Sequence, residues 1–202
     1  MSERYPVFVE FQHPEGARPV TEVRSTLLSA SLQSVRALGW EERYFTQLPP
    51  ALHEELRSLV PGAWVPLALA VEHYGACDRL HLTSDELSCI GEAVSRRTQA
   101  TFIETVGKVA AGAGATPWNF LANAHRIWAR MMNGGDHCVY KVGPKEAIVV
   151  LVGCPLLGIP YFRETIRAYY RALGAPLARS MFASEVSRHC GPTSLGIRLG
   201  WA

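Results

Sequence analysis

The sequence predicts an α+β fold: a helical N-terminal half packed on a four-stranded, mostly antiparallel sheet, the C-terminal half running ββαββ. Three observations predict it. Apolar residues recur at helical spacing from about residue 22 to 133, and the period then becomes extended. Thr83 with Glu86, and Thr116 with Pro117, mark two helix starts in mid-chain. The closing stretch SLGIRLGW alternates strictly, with Leu195, Ile197, Leu199 and Trp201 on one face, as a half-buried strand requires.

In chain order, residues 1–21 alternate weakly through VFVEF and break at HPEGARP. They predict a short strand or extended arm that covers a sheet edge, on this chain or on a partner subunit. Residues 22–202 then form a single domain. STLLSASLQSVRAL places Leu27, Leu28, Leu32, Val35 and Leu38 on one helical face, and Gly39 stops it. PPALHEELRSLV is a short helix entered through proline, and WVPLALAVEHYG a more apolar one. The helix opened by Thr83 is the longest, carrying Leu87, Ile90, Val94, Thr98, Phe102, Thr105 and Val109. TPWNFLANAHRIWARMMNGG is a further helix, capped by Thr116 and ended by Gly134. Its stripe is Trp118, Leu121, His125, Trp128 and Met132. HCVYKV, a turn at GPKE and AIVVLVG form a hairpin. YFRETIRAYYRAL is a helix closed by Gly174 and Pro176, LARSMFASEV a third strand, and SLGIRLGW the fourth.

With 48% apolar and 19% charged residues the chain is globular. Twenty Lys and Arg against 18 Asp and Glu leave a net charge of +2 and no basic stripe, so no nucleic-acid partner is expected. No apolar run is long enough to span a bilayer, and MSERYPVFVEFQ is not an export signal. Five irregularly spaced cysteines (77, 89, 138, 154, 190) fit reduced thiols in a cytoplasmic protein.

Residues 117–201 resemble the ligand-binding domains that include TRAPP vesicle-tethering subunits and four-vinyl-reductase sensor domains. The resemblance rests on IWARMMNGGDHCVYKVGPKEAIVVLVGCPL, YFRETIRAYYRALGAP and RHCGPTSLGIRLGW, which come in that family's order. GWEERYFTQLPP and PGAWVPLALAVEHYG look more like a bacterial branch of the group that occurs as many paralogues. The resemblance implies an α+β fold, frequent homodimers, a pocket between helices and sheet, and no enzymatic activity.

His-Cys occurs twice, at 137–138 and 189–190. Structural zinc wants four tetrahedral ligands, whereas adjacent strand residues point to opposite faces. Four-vinyl-reductase domains carry a second cysteine in the last strand; here Leu195, Ile197 and Leu199 stand there. No metal is therefore expected: Cys138 and Cys190 read as small buried hydrophobes, and His137 and His189 as polar strand-end residues. His125, between Leu121 and Trp128 on an apolar stripe, is placed as a haem ligand would be, although a hydrogen-bonded, half-buried histidine is the plainer reading. No Gly-x-Ser-x-Gly, phosphate loop or converging carboxylates appear, so no catalytic residue is assigned.

The expectation is a non-catalytic, cytoplasmic ligand-binding or signalling module, homodimeric, taking an apolar small molecule and holding no cofactor. The ligand would lie against Phe102, Trp118, Leu121, His125, Trp128, Phe162 and Tyr169. Two alternatives stand beside it: a dimeric adaptor with a filled core and a protein partner, and a haem- or metal-binding sensor.

Overall fold

The computed structural model describes the backbone of residues 5–13, 15–110 and 116–202, and the side chains of these residues other than 98–110. Phe102, whose side chain falls in that last stretch, lies outside the described residues.

A short strand β1 (Val7–Val9) lies in the arm. After it come β2 (Glu22–Arg24), α1 (Ser25–Ala37), α2 (Glu41–Thr46) and α3 (His53–Arg57). Next are β3 (Trp64–Pro66), α4 (Leu67–Asp78) and the long α5 (Ser84–Ala110). α6 (Pro117–Leu121), α7 (Ala124–Met131) and β4 (Met132–Asn133) lead into the hairpin β5 (Asp136–Gly143) and β6 (Glu146–Val152). α8 (Pro160–Gly174), β7 (Met181–Glu185) and β8 (Ser194–Trp201) finish the chain.

The main sheet is antiparallel in the order β1-β5-β6-β8-β7. The α+β architecture is the predicted one, and the predicted four strands gain a fifth from the arm. β1 pairs Val7 with Tyr140 and Val9 with Val139, at the β5 edge. A second, small sheet, β3-β2-β4, ties the start of the helical half to the end of α7.

β6 is buried on both faces, as a central strand must be, which is why AIVVLV is continuously apolar. Ala147, Val149 and Leu151 face the helices with Leu195, Ile197 and Leu199 of β8, while Ile148 and Val150 join Cys138 in a smaller outer cluster under Tyr5 and Phe11 of the arm. α8 crosses the inner face, burying Phe162, Ile166, Tyr169 and Leu173. α5 lies against it at Gly91, where an added Cβ would sit 2.4 Å from the Thr165 carbonyl oxygen.

The single helix predicted over 117–133 is divided into α6 and α7. Asn123 leaves helical geometry (φ −110°, ψ 6°), and its side-chain amide donates to the Asn119 carbonyl at 2.9 Å. The helix also stops early, because Met132 and Asn133 pair with β2. At its start, Thr116 and Asn119 form a reciprocal cap.

Candidate functional site

Among the described residues, the helix-facing side of the sheet is closely packed around the tyrosines. Tyr44, Tyr74, Tyr161 and Tyr170 are buried there, and the void beside Leu27, Ile90, Phe162 and Tyr169 holds only about 20 Å³. That is room for roughly one water. A buried polar chain crosses this region. The Tyr44 hydroxyl lies 2.6 Å from Nδ1 of His73, whose Nε2 lies 3.9 Å from Sγ of Cys77. Burial pushes the His73 pKa down to about 3 and the Cys77 thiol up to about 12. The imidazole is thus neutral, both its nitrogens are engaged, and the neighbouring thiol is no thiolate nucleophile.

The larger opening lies at one end of the same face, between α7 and the first residues of β5. His137 is the second residue of β5, opposite Leu151 in register, and 1% exposed. Its ring stacks on that of His125 from α7, with centroids 6.3 Å apart and an interplanar angle of 17°. The pocket they share has a volume of about 470 Å³, with Trp128, Met132 and Pro19 among its walls and Arg18 at its rim. Nε2 of His137 is buried without a hydrogen-bond partner among the described residues. Burial lowers the His137 pKa to about 4; the Asp136 carboxylate opposes that shift and His125 adds to it. The imidazole is therefore a neutral base at neutral pH, with an unsatisfied edge.

Glycines and the arm shape this end. Gly134 and Gly135 take φ of +104° and +69°, and a Cβ at Gly134 would meet the Pro19 carbonyl oxygen at 2.4 Å. Gly135 donates its N–H to the Arg18 carbonyl at 2.6 Å, and Val20 donates to Gly153 at 2.8 Å. Asp136 accepts from the backbone N–H of His13 (2.8 Å) and of His137 (2.7 Å). Its carboxylate thereby fixes both the arm and the first turn of the strand. The Trp128 indole donates to the Gly134 carbonyl at 2.9 Å and stands beside Gly135.

The residues expected to share one pocket are distributed. His125 and Trp128 line the 470 Å³ pocket. Phe162 and Tyr169 border the small void. Leu121 is fully buried in the core. Trp118 sits at the far end of the sheet, its ring 5.0 Å from that of Trp201 and its indole donating to Pro144 at 2.9 Å. His137 was not among the expected site residues. It reads as a polar strand end, but lies on the inner face two places before Val139.

The two His-Cys pairs do not converge as two chelates. Cys138 turns outward into the Ile148 and Val150 cluster while His137 faces the pocket. His189 stacks on Tyr140 at 6.2 Å, and the Cys190 thiol donates to the Val186 carbonyl at 3.2 Å. Among the described residues no helix is long and apolar enough to cross a membrane.

No protein-family model matches the chain, and no curated protein matches it in sequence. Solved structures do match. An Fe(II) unliganded H-NOX protein from K. algicida superposes with a TM-score of 0.61 at 10% identity, covering 89% of this chain and 96% of the other. An oxygen-binding H-NOX domain related to soluble guanylate cyclases superposes with a TM-score of 0.58 at 10% identity, over 88% and 94%. A structure probing haem distortion in the H-NOX family gives a TM-score of 0.59 at 13% identity, over 88% and 94%. These correct the resemblance to TRAPP subunits and four-vinyl-reductase domains. The helix, hairpin, helix and alternating strand that carried it are an order of elements that the H-NOX fold shares, and order alone does not separate the two. The fold of this chain, helical half and sheet together, is that of the H-NOX domains.

Proposed function

We propose that this chain is a non-catalytic sensor module, and that the ligand it carries is haem, taken at the His137 pocket. The observation that carries the reading is the buried, unpartnered Nε2 of His137 beside the ring of His125. The structural neighbours supply the ligand class: one is a study of haem distortion and another an oxygen-binding domain.

Whether the residues fit such a group differs between two places. The space between helices and sheet around Tyr74 and Tyr169 does not fit it, being about 20 Å³ among described side chains, with His73 committed to Tyr44 and Cys77. The pocket at the sheet end fits. Its 470 Å³ is within the roughly 300–1,000 Å³ of small-molecule sites. Its lining brings together the His137 imidazole, edges of Trp128, Ala129 and Met132 among mostly polar residues, and the Arg18 guanidinium for a carboxylate, and Nε2 of His137 becomes accessible once the His125 ring gives way. His137 would hold the iron, His125 would stack against that imidazole and orient it, and Arg18 would take a propionate. The chemistry that bound haem supplies is reversible coordination at iron.

A second reading is favoured by the close packing among the described residues: an adaptor in which the fold is retained without a ligand. Titrating haem into the purified chain separates the two. A saturable, one-to-one absorbance change supports the sensor, and a non-saturating one supports the adaptor. The proposal extends to a homodimer, for which Phe182, 67% exposed on the edge strand β7, offers an apolar contact.

A further inference from the structure

A second pocket lies on the helical half and is lined by three arginines, Arg36, Arg57 and Arg97. We propose that it binds a small phosphomonoester with an apolar body. Its volume is about 310 Å³, at the low end of small-molecule sites. One wall is a stripe of α1, Thr26, Ser29, Gln33 and Arg36, spaced three, four and three residues apart so that all four project from one side of the helix. The opposite face of α1 carries Leu28 and Val35 into the core, which fixes the rotation of the stripe. Leu56, Leu59 and Pro61 form the apolar wall.

The charges decide the ligand. Arg36 is matched: Nε donates to Oε2 of Glu41 at 2.8 Å and Nη2 to Oε1 at 2.6 Å. Arg57 and Arg97 have no direct ion pair among the described residues, although the Glu41 carboxylate, already paired with Arg36, feels the Arg57 charge. The Arg57 guanidinium lies over the Phe45 ring, 4.2 Å from its centroid. Arg97 is anchored by one bond, Nη1 to the Ala30 carbonyl at 2.9 Å, and among the described residues the rest of its fork has no hydrogen-bond partner. Both line the pocket. Two guanidinium groups without a direct ion pair meet the charge of about −1.5 to −2 that a phosphomonoester carries at neutral pH. The hydroxyls of Thr26 and Ser29 add donors that three terminal phosphate oxygens can accept and a carboxylate, with fewer acceptor sites, cannot fully use.

Calorimetry on the full chain at low salt, with phenyl phosphate, benzoate and phenol as probes, tests this. Expected are one saturable site for phenyl phosphate, binding about tenfold or more weaker for benzoate, and none for phenol. Arg57→Gln and Arg97→Gln should each weaken phenyl phosphate binding about tenfold, with Arg57→Lys recovering part of the loss because the charge remains without the fork. Both arginines are exposed, so far-ultraviolet circular dichroism of the variants should match wild type. His137→Ala should leave this affinity unchanged, which separates the site from the haem pocket. No saturable phenyl phosphate heat at millimolar concentration, equal affinity for benzoate, or undiminished affinity in Arg57→Gln/Arg97→Gln would each overturn the proposal.

Discussion

The imidazole rings of His125 and His137 lie nearly parallel, 6.3 Å apart between centroids, although one belongs to a helix and the other to a strand. Asp136 makes this contact reproducible. Its carboxylate accepts the N–H of His137 and that of His13, so the strand's first turn and the arm are held together at the mouth of the pocket. One ring edge, Nε2 of His137, then remains buried and unpaired, which costs stability unless a ligand uses it.

The first consequence is a pH dependence. The unfolded chain takes a proton on His137 near pH 6.5, and the folded chain only near pH 4, because burial outweighs the pull of Asp136. Above pH 6.5 neither state is protonated and there is no penalty. As the pH falls from 6.5 to 4 the unfolded state binds the proton first and stability is lost, on the order of 3 kcal/mol for this group. His73, held near 3, acts in the same direction. Urea midpoints at pH 7.5 and 4.5 should therefore differ less for His137→Gln than for wild type.

Tyr44→Phe removes the partner of Nδ1 of His73 inside a closed core. The shape barely changes, so the loss should be that of an orphaned buried polar nitrogen, about 1–3 kcal/mol. Chemical denaturation reads it, and a change below about 0.5 kcal/mol would mean that His73 finds another partner.

Trp128→Ala tests the wall of the haem pocket. A core tryptophan costs about 3–5 kcal/mol when truncated, and a ring bordering an existing cavity has fewer neighbours to lose. Trp128 is 3% exposed yet lines the 470 Å³ opening, so the expected loss is about 3 kcal/mol, with haem affinity reduced further than stability. The urea midpoint and a haem titration of the same variant give both numbers.

Much of the architecture is legible in the residues. The capping pair Thr83 and Glu86 is present, with the Thr83 backbone N–H donating to the Glu86 carboxylate at 2.8 Å. The alternation of Leu195 to Trp201 is a strand with those side chains facing the core. The three-residue strands β2 and β3 and the two-residue β4 are not legible, because so few residues carry no period and their pairing joins segments about 40 to 110 residues apart in the chain. The break at Asn123 is hidden for a similar reason: the apolar stripe runs through it from Leu121 to Trp128. In the site, His125 stands out as a polar residue on an apolar face. His137 does not, since its burial depends on α7 and the arm closing over the end of β5, contacts made across more than a hundred residues in the case of His13.

Haem titration of His137→Ala and His125→Ala beside wild type, followed by the Soret band, bears most directly on the sensor reading. Wild type should saturate at one haem per chain. His137→Ala should lose the axial-ligand spectrum and regain it when free imidazole is added, while His125→Ala should keep a ligated spectrum with weaker binding. A wild-type chain that takes up no stoichiometric haem, or a His137→Ala spectrum identical to wild type, would contradict the assignment of this pocket.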